Sequence, residues 1–201
     1  MTRGSVVVAW VLCAGLAACS DSDEPVVGDE PITPEAVVAI AQEHVGAKPN
    51  RIWKDSEASD LDLGPADAVL VYDALSITVR VAETTDSPLA CATVDDDDGR
   101  LTAADFFDGC VDETVEGHEV SIAWQDVTTE EDPGYVYVID HREGEDVSVR
   151  LSGPRVTSDP RNLDLGVPLE DLAALVTDQR LSLTTSQEVV DLGDAVERAW
   201  G

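Results

Sequence analysis

Residues 135–151 read YVYVIDHREGEDVSVRL, two alternating apolar runs on either side of Glu143-Gly144-Glu145. A period of two puts successive side chains on opposite faces of a strand. A glycine-bearing turn between two such runs is a hairpin signal. Working outward, residues 119–127 form a further run, with another turn at 130–134. Residues 68–82 carry Val69, Val71, Ile77, Val79 and Val81 in an alternating pattern interrupted near Asp73. The helical crossovers that a parallel sheet requires do not separate these runs. The spacing therefore predicts an antiparallel meander.

Helical signals lie at both ends of this strand-rich middle. Thr33 is a natural N-cap, Pro34 suits the first helical position and Glu35 complements the helix dipole. Val37, Ile40, Ala41, His44 and Val45 follow at helical spacing, and Gly46 suits the C-cap. Residues 48–67 read as loop, with Trp53 free to pack back on the domain. Near the C-terminus, Leu169, Leu172, Ala173 and Val176 share one helical face. Thr185 and Glu188 form a capping-box pattern before Val189, Val190, Leu192 and Val196, in a helix that Gly193 weakens. The expected class is α+β: one domain, residues 34–201, with an antiparallel sheet covered by N-terminal and C-terminal helices.

The first residues belong to a different kind of segment. Arg3 precedes an uncharged apolar run, residues 6–18, too short to span a bilayer but of the length of a signal-peptide core. The run ends in Leu16-Ala17-Ala18-Cys19. This resembles the lipobox of bacterial lipoproteins. The resemblance implies removal of residues 1–18, a thioether-linked diacylglycerol on Cys19 and a location on the extracytoplasmic side of the cell membrane. Two acyl chains hold a protein stably, whereas one does so only marginally. The other reading of these residues is an ordinary secretory signal with an Ala-x-Ala-like cut. Residues 19–33 are rich in Ser, Asp, Glu, Pro and Gly and read as a disordered acidic tether.

Charge excludes several partners. The chain has 201 residues, 42 acidic against 12 basic side chains, and a formal net charge of −30. Nucleic-acid affinity comes mainly from Lys and Arg on phosphates, so nucleic acid is not expected as a partner. Electrostatic docking on anionic lipid is disfavoured for the same reason. The stretch 153–195, through Ser158-Asp159-Pro160-Arg161, Leu163-Asp164-Leu165 and Leu183-Thr184-Thr185-Ser186, resembles the C-terminal parts of actinobacterial lipoproteins. That resemblance brings no activity with it.

Chemistry-bearing patterns are few. His44, His118 and His141 lie far apart in sequence, and no nucleophile elbow, His-Glu-x-x-His pair or phosphate-cradling loop occurs. Asp140-His141-Arg142 ends a strand, where a general base would need a cleft and a nucleophile. Cys13 leaves with the signal segment, and Cys91 and Cys110 then form an even pair, expected as a disulfide in an oxidising compartment. Against the calcium-loop pattern of EF-hands, Val94 stands at the first position. Asp96 and Asp98 stand at the third and fifth, Gly99 at the sixth and Asp105 at the twelfth. The pattern wants Asp first and Glu last, so the run reads better as a solvated acidic turn. Ca2+ on Asp96, Asp98 and Asp105 is the one cofactor suggested. The function favoured by the sequence is a membrane-anchored, non-enzymatic binding or structural module that meets an envelope protein or polymer. A carboxylate-based extracytoplasmic hydrolase is the alternative, although aromatics for stacking sugars make up only 4% of the chain.

Overall fold

The computed structural model describes residues 28–54, 65–84, 91, 107–115, 117–127 and 133–200. The hairpin read from residues 135–151 is its centre. Strand β7 (Tyr135–His141) pairs with β8 (Glu145–Ser152), and Arg142 N donates to Glu145 O at 2.9 Å to close the turn. Gly144 sits at φ +87°, a conformation costly for residues with a Cβ.

The remaining strands are β1 (Glu30–Pro31), β2 (Arg51–Trp53), β3 (Asp67–Val71), β4 (Ser76–Glu83), β5 (Gly109–Val115), β6 (His118–Gln125) and β9 (Thr184–Thr185). Of the nine strands among the described residues, seven form one antiparallel sheet in the order β2-β3-β4-β8-β7-β6-β5, while β1 and β9 pair separately. The sheet is two meanders, β2-β3-β4 and β5-β6-β7-β8, joined where β4 pairs with β8. The interruption near Asp73 is a hairpin turn between β3 and β4, closed by Tyr72 N donating to Leu75 O at 2.8 Å.

Among the described residues, three α-helices complete the α+β fold: α1 (Pro34–Val45), α2 (Leu169–Thr177) and α3 (Gln187–Trp200). Thr33 caps α1 by accepting from Ala36 N, and Gly46 ends it at φ +67°. Register places Leu70, Ile77, Val79, Val149, Val138 and Ile122 on one face of the sheet. They are buried with Val37 and Ile40 of α1 and Leu172 and Val176 of α2. Helix α3 lies against α1, so residues 36–41 are buried on every side of α1. A Cβ on Gly193 would lie 2.6 Å from Ala36 N. The glycine that weakens α3 as an isolated helix is thus what allows the close approach.

Three boundaries differ from the sequence reading. Order begins before residue 34: Glu30 and Pro31 pair with Thr185 and Thr184, and Ile32 is 5% exposed in the core. Residues 30–33, read as the end of a disordered tether, thus belong to the fold, because Ile32 has apolar surface to bury. The loop 48–67 contains β2, whose Ile52 packs on the core. The cap of α3 is Ser186, whose Oγ accepts from Val189 N, one residue after the expected Thr185; Thr185 is instead in β9.

Candidate functional surface

The sheet face turned away from the helices carries a mixed polar and aromatic row. Register aligns Trp53, Val69, Thr78, Arg150, Tyr137, Ala123 and Cys110 across it. The Arg150 guanidinium lies 3.9 Å from the Tyr135 ring centre, and Arg51 lies 6.0 Å from that of Trp53. Phe107 packs on Tyr137 with ring centres 5.3 Å apart. Burial pushes the Tyr137 phenol up. The Sγ atoms of Cys91 and Cys110 are in bonding contact at the end of this row, with Cα atoms 5.5 Å apart.

One end of the same face holds the His141–Asp146 pair. His141 Nδ1 is 3.1 Å from Asp146 Oδ1, and Asp146 is 3% exposed. In the tautomer with the proton on Nδ1, His141 donates to Asp146 and Nε2 carries the lone pair. A base needs something to deprotonate. Among the described residues, no hydroxyl or thiol is bonded to His141.

Arg142, on the opposite face, is structural. Its Nε donates to Asp140 Oδ2 at 2.7 Å, and Nη2 donates to Val176 O at 2.6 Å and Asp178 O at 3.0 Å. Nη1 donates to Leu181 O. These bonds tie the β7–β8 turn to the end of α2 and satisfy Asp140, a carboxylate only 2% exposed. The adjoining turn holds His44, whose Nε2 is 2.9 Å from Asp178 Oδ2, and Arg180, which bonds both Asp178 and Glu43. Burial pushes the Asp178 carboxyl up, but hydrogen bonds from His44 and Arg180 outweigh it and hold the group well below the usual range. His44 is therefore part of a packing network, as its helical position suggests, and His118 stands at the start of β6 opposite Val115.

A shallow groove of about 340 Å³ lies inside the loop from Pro160 to Glu170. Its Arg161 is held by Asp159 and Glu113, so that charge is already neutralised. Cys19, Asp96, Asp98 and Asp105 lie outside the described residues. Among the described residues, no three His, Cys, Asp or Glu side chains are grouped to hold a metal ion, and no helix is long and apolar enough to cross a membrane. No family model, curated protein or solved structure matches the chain.

Proposed function

We propose that the chain is a lipoprotein held to the extracytoplasmic side of the cell membrane through Cys19, and that its domain is a non-enzymatic binding or structural module of the cell envelope. The observation that carries this reading is where the N-terminal segment joins the fold. It enters at β1, beside β9, with Ile32 in the core under the helices. A chain anchored there leaves the opposite face of the sheet pointing away from its attachment. That face carries Trp53, Tyr135, Tyr137 and Arg150, all half-buried, together with exposed Arg51. Aromatic and arginine side chains are the types enriched in recognition surfaces. The partner class is an envelope protein or polymer.

The anchor is tested by metabolic labelling with a fatty-acid analogue. Label is expected on the wild-type chain and not on Cys19→Ala, which is also expected to keep its N-terminal segment. Equal label on both would overturn the anchor.

A further inference from the structure

We infer that segment 28–32 is a strap that detaches from the domain as a unit, well short of global unfolding. Its hold is slight. Strand β1 is two residues long, both exposed, and one of them, Pro31, has no N–H to give to a ladder. Beyond that ladder, Ile32 N donates to Leu183 O at 3.2 Å, and the Ile32 side chain is buried. Gly28 lies so close to Thr185 that any Cβ there would collide with the Thr185 carbonyl.

Both sides of the joint keep their shape without the strap. On one side, α1 is closed by its own cap, since Ala36 N donates to Thr33 Oγ1 at 3.2 Å and Val37 N to Thr33 O at 3.0 Å. On the other, Leu183 N and Ser182 Oγ both donate to Glu145 Oε2, at 2.8 Å and 3.0 Å. Thr185 Oγ1 donates to Arg180 O at 3.2 Å. Detachment therefore stops at Thr33 and leaves β9 in place. Low-stability openings of this kind are drawn from segments with few buried apolar contacts. Five released residues add up to about 17 Å of extended chain. On the lipid-anchored reading, the strap sets how far the domain stands from its attachment; its opening does not depend on that reading.

Hydrogen exchange of the full chain in increasing, sub-denaturing urea tests the inference, read by mass spectrometry on peptides covering 28–33 and 135–141. The 28–33 amides are expected to exchange at least tenfold faster, at a rate that urea leaves nearly unchanged, while those of 135–141 accelerate steeply with urea. Gly28→Val is expected to bring 28–33 to the exchange rate of free chain while 135–141 stays protected. The inference is overturned if the two peptides exchange together at every urea concentration. A Gly28→Val variant in which 135–141 loses its protection together with 28–33 would overturn it too. Cys19→Ala leaves the expected pattern unchanged, so failure of the anchor and failure of the strap are separate results.

Discussion

Replacing Arg142 by Met is expected to cost the domain about 4 kcal/mol. Met keeps most of the apolar stem, so little packing is lost and the change falls on charge and hydrogen bonds. Arg142 is 13% exposed and satisfies Asp140, which is 2% exposed, and the carbonyls of Val176, Asp178 and Leu181. It also faces Glu145 Oε1 at 3.6 Å. Removing one partner of a buried pair costs about 3–5 kcal/mol, and a buried acceptor left unpaired about 1–3 kcal/mol. The two losses overlap, because water can reach part of the vacated site, so their sum overstates the effect. For a domain of this size, about 4 kcal/mol lowers Tm by roughly 8–16 °C. Urea unfolding followed by tryptophan fluorescence measures it. Arg142→Met combined with Asp140→Leu removes both buried charges and is expected to recover more than half of the loss. A loss below about 1 kcal/mol for the single variant, or a double variant no better than the single, would refute the assignment of Arg142 as the clamp between the hairpin and α2.

Gly193→Ala should destabilise the domain by about 1–3 kcal/mol, because overpacking against Ala36 N outweighs the gain in helix propensity; a thermal melt that rises instead would contradict the close approach. Asp178 has its carboxyl depressed by His44 and Arg180, so its contribution to stability is present above the unfolded carboxylate range near pH 4 and is lost as pH falls below it. Asp178→Asn is expected to flatten that acid limb in urea midpoints measured from about pH 5 downward. Linking Cys91 to Cys110, 19 residues apart, is expected to contribute roughly 3 kcal/mol; two reactive thiols on denatured, unreduced protein would remove that contribution. Millimolar Ca2+ is expected to raise Tm no more than Mg2+ at equal ionic strength, since any salt screens a charge of this size. A calcium-specific rise that disappears in Asp96→Asn/Asp98→Asn would instead establish a site.

Local signals in the sequence were legible where the physics is local. The Thr33 cap, Gly46 and the alternation of residues 135–151 each act within a few residues, and each appears where expected. Strand β5 was not legible because an edge strand needs little apolar surface, and Asp112, Glu113 and Thr114 interrupt its pattern. Strand β2 is three residues inside a loop-like stretch, too short to show a period. The order of the strands depends on β4 pairing with β8, a contact that no local pattern encodes. The role of Arg142 is not legible in the sequence for a related reason. Its partners are main-chain carbonyls 34 to 39 residues away, and carbonyls leave no trace in a sequence. The same holds for Asp146 beside His141, which the turn alone did not single out.

The seam between the two meanders bears on how the chain is made. Ser76 of β4 faces Ser152 of β8, so the first strand emerges 76 residues ahead of its partner. At about 5–20 residues per second, that is a wait of roughly 4–15 s. Helix α1 waits longer still, since α3, which covers it, begins only at residue 187. During that interval the bonding edge of β4 and the apolar flank of α1 are both open, the condition under which nascent chains aggregate. A chain that stops before residue 187 never covers α1, however complete its sheet.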